Sequence, residues 1–173
     1  MPQDLAAFPD VEQLLVISLW SLLHEHGYRI DGSLAHRRNE AGEFALIKFA
    51  VDPVSANDYA LYVDGGAFVR KQRPRLSDQL QAEVDQRVPS VGESQFYFTV
   101  MPPTGVGWDV IPGGDQRWRV SAQLDPTVLT GELLRVLRSS ILPLLEALLD
   151  GERHVDVSAH ECVRLKRQKQ PFV

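Results

Sequence analysis

The sequence predicts an α+β protein: a single domain in which an antiparallel meander sheet of about five or six strands carries two long helices on one face. Three observations predict this class. Apolar residues recur with a period of about 3.6 in two leucine-rich stretches, and with a period of two in most segments between them. The connections between the alternating segments are short, which favours antiparallel neighbours. With 173 residues, 44% of them hydrophobic, the chain can bury a core of its own.

The first long helix is predicted over residues 11–26. Asp10 suits the N-cap, Gln13 follows three residues later as in a capping box, and Gly27 ends the helix. The apolar run inside this helix is interrupted by two serines and is shorter than the roughly 20 residues that a membrane-spanning helix needs. We therefore expect no membrane anchor.

The middle of the chain is predicted to form strands separated by turns and one shorter helix. Asp31-Gly32-Ser33 and residues 39–42 have the composition of turns. Alternation predicts strands over residues 28–38, 43–51, 59–63, 95–101 and 116–122. The strand at 59–63 is expected to end at Asp64-Gly65-Gly66, and a helix is expected between Ser77 and Pro89.

The second long helix is predicted from Pro126 to Leu149. Asp125 suits its N-cap, and a proline is favourable at the first helical position. Pro143 should kink this helix because it cannot donate a hydrogen bond to the carbonyl of Ser139.

The end of the chain is predicted to form an edge strand over residues 155–165, followed by a basic tail. We therefore divide the chain into residues 1–151, a single α+β domain, and residues 152–173, the edge strand and tail. A period of two would place ligand-type and catalyst-type side chains on one face of this strand, at His154, Asp156, Ser158, His160 and Cys162.

These side chains leave an enzyme or metal protein open as an alternative. His154, His160 and Cys162 are candidate metal ligands, and His160 is a candidate base for a Cys162 nucleophile. Residues two apart on a strand lie about 7 Å apart, too far for a direct hydrogen bond, so we favour a solvent-facing edge. We expect no metal, no cofactor and no enzymatic activity.

The charge pattern bears on the class of partner. Lys and Arg total 18 against 23 Asp and Glu, a net charge of −5. Eight of the positive charges lie in residues 70–75 and 164–169, so the rest of the chain is strongly acidic. An acidic surface attracts basic proteins and repels nucleic acid, although binding of nucleic acid through the two basic segments remains a second alternative. A related alternative is that seven basic residues converge on a phosphate or a nucleic acid, namely Arg37, Arg38, Lys48, Arg70, Lys71, Arg73 and Arg75. The acidic remainder of the chain favours the other reading, in which the aromatic residues of the sheet fill the core.

A glycine-rich loop over residues 104–114 is expected to present a large aromatic side chain. Aromatic and arginine side chains are the usual anchors of protein interfaces. The candidate binding residues are therefore Trp108, Asp109, Arg70, Lys71, Arg73 and Arg75.

The single cysteine, Cys162, rules out an intramolecular disulfide, and the residues before the first apolar run carry no Lys or Arg. Both observations favour a cytoplasmic location. The histidines of His24-Glu25-His26 are two apart, whereas the zinc-protease motif needs them four apart on one helix face.

The order of elements also resembles a known family. The resemblance is carried by Gly27-Tyr28, His36-Arg37-Arg38, Ile47-Lys48-Phe49, Trp118 and Leu142-Pro143-Leu144, over about Leu14 to Leu149. In this layout the chain resembles the bacterial domain of unknown function 4304 family. The resemblance implies a small α+β bacterial protein without established enzymatic activity, from a group suspected of roles beside toxin or defence genes. We therefore expect a non-enzymatic protein-binding module, an immunity or accessory protein whose partner is a basic toxin or effector.

Overall fold

A computed structural model describes residues 8–55, 58–69, 87–102, 118–121, 126–151, 155–160 and 162–168. Seven strands among these residues form one sheet in which every pairing is antiparallel. The strands are β1 (Arg29–Asp31), β2 (Leu34–Arg38), β3 (Phe44–Ser55), β4 (Asp58–Phe68), β5 (Phe96–Val100), β6 (Trp118–Ser121) and β7 (Val163–Gln168). The described helices are α1 (Phe8–Glu25), α2 (Pro126–Val136) and α3 (Leu142–Leu149), with a π turn at Leu137–Ile141 and 3-10 turns at Val91–Glu93 and Val157–Ala159. The α+β class and the antiparallel meander sheet are confirmed.

The strand order is β1-β2-β3-β4-β5-β7, with β6 also paired to β4. The strands β5 and β6 share one edge of β4, because β5 pairs with residues 64–67 and β6 with residues 58–61. The indole N–H of Trp118 donates a hydrogen bond to the carbonyl of Val100 at 3.0 Å, which joins the start of β6 to the end of β5.

The sheet begins with a tight hairpin. Asp31 pairs with Leu34 across Gly32 and Ser33, and Gly32 has a φ of +58°, which a glycine adopts without strain. This register sets Arg29 opposite His36.

The predicted end of a strand at Asp64-Gly65-Gly66 is wrong, because β4 continues through these residues to Phe68. A Cβ on Gly65 would lie 2.3 Å from the ring of Phe98, and a Cβ on Gly66 would lie 2.5 Å from the hydroxyl of Ser94. The glycines therefore allow neighbouring groups to approach the strand closely, which is a role of glycine in sheets as well as in turns.

The sheet has apolar side chains on both faces. The larger cluster joins the three helices to alternate strand residues such as Ile47, Val63 and Phe98. The smaller cluster lies on the opposite face and contains Phe44, Leu46, Phe68 and Val91, with Val88 packed against it. The segment from residue 87 to residue 94 therefore covers one end of the face that carries the smaller cluster.

The predicted second long helix is present, but it is interrupted. The backbone N–H of Leu142 bonds to the carbonyl of Leu137, five residues back, in the π turn directly before Pro143. Proline in a helix interior removes a hydrogen bond and crowds the carbonyl four residues before it. The wider π turn accommodates Pro143 within the helical path.

The predicted strand over residues 155–165 is wrong in its first half. Val157–Ala159 form a 3-10 turn, Cys162 has a φ of +63°, and β7 starts only at Val163. As predicted, this last strand lies at an edge of the sheet. None of the described helices has the length and apolar character needed to span a bilayer.

Candidate functional site

A cleft of about 530 Å³ opens at the β1–β2 end of the sheet. It is lined by residues from the turn after α1, from the first three strands and from residues 87 and 88. We name it the arginine cleft, and its lining residues are Gly27, Arg29, His36, Arg37, Arg38, Phe44, Arg87 and Val88.

The pairing of the strands explains why several of these residues meet. Arg29 on β1 is the cross-strand partner of His36 on β2, and Arg38 is the partner of Phe44 on β3. Directly paired residues project from the same face, and residues two apart on one strand do so as well. Arg29, His36, Arg38 and Phe44 therefore share the sheet face that carries the smaller core cluster.

Phe44 supports Arg38 at the base of the cleft. The guanidinium carbon of Arg38 lies 5.7 Å from the centre of the Phe44 ring, within the range of a cation–π contact. Phe44 is itself buried and packs edge-on against Phe68. The aromatic base is thus fixed by the smaller core cluster.

Arg87 forms part of the opposite wall and is paired with a carboxylate. Its two terminal nitrogens donate to the carboxylate oxygens of Glu93 at 2.5 and 2.9 Å. The backbone N–H of Ser90 donates to the same carboxylate at 2.7 Å. These hydrogen bonds, above all those from Arg87, lower the pKa of Glu93 to about 2. The charge of Arg87 is therefore compensated by an ionised partner.

Arg37 lies on the rim and is also paired. It points to the helix side of the sheet, donates to both carboxylate oxygens of Glu146 on α3, and reaches the carbonyl of His26 at 3.3 Å. Tyr28 is buried beside this pair, and burial raises the pKa of its hydroxyl. The pairing connects β2 to α3 and leaves little free charge on Arg37.

Arg29 and Arg38 differ from the other two arginines of the cleft. Neither forms an ion pair with any carboxylate among the residues that the structure describes. They give the cleft two positive charges that lie outside any ion pair of the described residues, and Asp31, two residues from Arg29 on β1, is the carboxylate whose charge acts on His36 beside them.

His36 lies between Arg29 and Arg38 along the strand pair. Burial lowers the pKa of its imidazole, Asp31 opposes this effect, and Arg29 adds to it. With a pKa below 6.5, the ring is mostly neutral at pH 7 and offers one N–H donor and one acceptor nitrogen. The cleft can therefore donate hydrogen bonds from two arginines and one histidine to a single group.

The predicted site residues fall into two sets. Arg70, Lys71, Arg73, Arg75, Trp108 and Asp109 lie outside the described residues, as does most of the predicted helix behind Ser77. The expected convergence of Arg37, Arg38 and Lys48 occurs only in part. Arg38 lies in the cleft, Arg37 is paired on its rim, and Lys48 is not among the lining residues.

The sequence reasoning missed Arg29, His36, Phe44 and Arg87 as site residues. The turn at Gly32 and Ser33 contained the signal for Arg29, since a two-residue turn fixes Arg29 opposite His36. Arg87 had no comparable signal, because its position depends on the packing of a distant segment.

The proposed metal face of the terminal strand does not form as predicted. His154 lies outside the described residues, and His160 and Cys162 precede β7 in irregular backbone and do not share a strand face. Within the described part of the chain, no group of three His, Cys, Asp or Glu side chains is placed to hold a metal ion.

The second basic segment lies at the other edge of the sheet, in β7. Lys166 is 4.0 Å from a carboxylate oxygen of Asp64 and lies 5.2 Å from the centre of the Tyr97 ring. Asp64 also accepts a hydrogen bond from the hydroxyl of Thr99 at 2.9 Å. One positive charge of this segment is therefore held in a local network, several strands away from the arginine cleft.

No family model, curated protein or solved structure matches this chain. The resemblance to the domain of unknown function 4304 family therefore stays a prediction.

Proposed function

We propose that this chain is a non-enzymatic protein-binding module whose arginine cleft takes an anionic segment of a partner protein. One observation carries the proposal: in the described part of the chain, Arg29 and Arg38 contribute two positive charges without an ion pair to a cleft of about 530 Å³, while Arg37 and Arg87 are paired. Arginine forks match the geometry of carboxylate and phosphate groups.

The chemistry of the lining residues supports binding over catalysis. Arginine is not deprotonated in proteins and so does not serve as a general base. His36 is the one lining residue whose ordinary pKa lies near neutrality, and it faces arginines and a phenylalanine. Among the described lining residues there is no serine, threonine, cysteine or carboxylate that His36 could activate.

The net charge of −5 supports a short anionic segment as the ligand. A long polyanion such as a nucleic acid would be repelled by the acidic remainder of the chain. Charges more than a Debye length away, about 8 Å at physiological ionic strength, are screened. A segment with one or two anionic groups thus experiences mainly the arginines of the cleft.

We also propose the domain organisation, the location and the biological role that the sequence predicts. The chain acts as a single cytoplasmic domain with its long helices on one face of the sheet, and its role is that of an immunity or accessory protein in a bacterial toxin or defence system. A basic toxin or effector is attracted by the acidic surface at long range, and its anionic segment then enters the cleft. A toxin or effector gene beside the gene for this chain would support this role.

Fluorescence anisotropy with a fluorescein-labelled glutamate-rich peptide tests the proposal. We expect binding that weakens from about 50 mM to about 500 mM salt, since the charges are partly exposed. Replacing Arg38 by Ala or Arg29 by Ala should weaken binding about tenfold or more, because each removes charge-assisted hydrogen bonds.

Arg138→Ala is the matched control, since Arg138 is an exposed arginine in the π turn and does not line the cleft. It should bind the peptide as the wild type does. Equal affinity of the wild type, Arg29→Ala and Arg38→Ala would overturn the proposal, and so would equal loss in Arg138→Ala.

A further inference from the structure

We infer that the anionic group recognised by the arginine cleft is a phosphate monoester, carried by a phosphorylated side chain of the partner. This inference rests on the proposed function and specifies its ligand. Three properties of the cleft support it: its positive charge, the number of its hydrogen-bond donors and its volume.

The first argument is charge balance. Glu146 and Glu93 pair with Arg37 and Arg87, so among the described residues the positive charge of the cleft that lies outside ion pairs belongs to Arg29 and Arg38. A carboxylate would neutralise only one of these two guanidinium groups. A phosphate monoester carries a charge of about −1.5 to −2 at pH 7 and neutralises both.

The second argument is the number and placement of donors. Arg29 lies directly across from His36, and Arg38 is two residues further along the same face of β2. Arg29 and Arg38 are thus diagonal neighbours, a relationship that sets positions about 7 to 8 Å apart, and from this spacing two long side chains reach one group between them. The three terminal oxygens of a phosphate accept hydrogen bonds from two guanidinium forks and one imidazole N–H. A carboxylate has two oxygens and leaves one of these donors without a partner.

The third argument is the shape of the cleft. A volume of about 530 Å³ far exceeds that of a phosphate group and falls in the range of pockets for larger ligands. Phe44 and Val88 contribute apolar surface to the lining. The cleft therefore has room for the phosphate and for the side chain and neighbouring residues that carry it.

The test compares three probes by NMR and anisotropy. The probes are a phosphoserine peptide, the same peptide with glutamate at that position, and inorganic phosphate. We expect the phosphoserine peptide to bind at least about tenfold more tightly than the glutamate peptide and inorganic phosphate. The guanidinium Nε–Hε signals of Arg29 and Arg38 should shift on binding, and that of Arg138 should not.

Arg29→Lys and Arg38→Lys provide the sharpest variants. Lysine keeps the positive charge but lacks the fork, so these variants should retain binding of the glutamate peptide and lose most of the preference for phosphoserine. Arg138→Lys is the matched control and should keep the full preference. Thermal unfolding of each variant shows whether the fold is retained.

The outcomes separate the two proposals. Equal affinity for the phosphoserine and glutamate peptides would overturn the phosphate inference and leave the binding module intact. Inorganic phosphate bound as tightly as the phosphoserine peptide would overturn the partner segment as the source of the phosphate. Absence of binding to either peptide would overturn both proposals.

Discussion

Arg37 of β2 and Glu146 of α3 form a two-pronged ion pair across the layers of the fold. Their side chains are 27% and 42% exposed, and the buried Tyr28 lies beside them. Arg37 is also a lining residue of the arginine cleft. The same pair therefore joins α3 to the sheet. It also neutralises the charge of Arg37, so this arginine contributes little to binding an anionic ligand.

Glu146→Gln should have opposite effects on stability and on binding. We expect a loss of about 1 kcal/mol in the free energy of unfolding, limited by the exposure of the pair. Binding of an anionic peptide should become stronger, because Arg37 then adds a third uncompensated charge to the cleft. Urea unfolding and peptide anisotropy measure the two effects. Glu132→Gln, which removes the partly exposed pair of Glu132 with Arg135 on α2, is the control and should leave peptide binding unchanged.

Acid should break the ion pair between Glu93 and Arg87 in the wall of the cleft, because it protonates the Glu93 carboxylate. Its folded-state pKa of about 2 lies below the ordinary value of 4.5, so its pairing with Arg87 stabilises the fold above pH 4.5 and is lost as the pH falls toward 2. Because both side chains are more than a third exposed, we expect a contribution of about 0.5 to 1 kcal/mol. Urea unfolding from pH 5 to pH 2.5 should show a smaller decline of stability for Glu93→Gln than for the wild type. Equal declines would contradict this assignment.

The His36 imidazole should titrate below 6.5, because burial and Arg29 both disfavour its protonated form. Since the unfolded chain then binds a proton more readily, His36 should make the fold less stable as the pH falls below 6.5. The NMR titration of its ring protons measures this pKa. Arg29→Gln should raise it by removing one of the two causes, and a bound phosphate peptide should raise it as well. A folded-state value above 6.5 without ligand would contradict the burial of the ring.

Gly65→Ala should destabilise the sheet by about 1 to 3 kcal/mol, the usual cost of overpacking, because its Cβ would lie 2.3 Å from the ring of Phe98. Gly131→Ala is the control. Gly131 lies in α2 and a Cβ there has no neighbour within 4 Å, so this change should stabilise the fold by about 0.5 to 1 kcal/mol. Thermal unfolding separates the two. Recovery of stability in Gly65→Ala combined with Phe98→Leu would confirm the contact with the ring.

Local patterns predicted the elements well where chain neighbours decide the structure. The two-residue turn at Gly32, the proline-started helix at Pro126 and the alternation around Ile47 all depend on nearby residues. The patterns wrongly predicted a strand end at Gly65 and Gly66. These glycines are needed because Phe98 and Ser94, from another part of the chain, lie too close for a Cβ. The patterns also failed before Val163, where an apolar alternation is interrupted by a 3-10 turn.

The candidate site was predicted only in part for the same physical reason. A convergence of Arg38 with other basic residues on a phosphate was one alternative from the sequence, and in the structure Arg38 lies in a cleft with Arg29, Arg37 and Arg87. The partners differ, since Arg29 comes from the preceding strand and Arg87 from a segment far along the chain. Which arginines remain uncompensated depends on where Glu93 and Glu146 lie in three dimensions, and residue spacing does not contain that information.

The arrangement of β5 and β6 along one edge of β4 offers a use in protein engineering. The hydrogen bond between Trp118 and Val100 holds the two ends of the intervening chain side by side. The entropic cost of lengthening a closed loop grows only by about 0.6 kcal/mol for each doubling of its length. A fluorescent protein that replaces residues 103–117 would therefore enter and leave the host next to this hydrogen bond, and would serve as a genetically encoded reporter carried by the sheet.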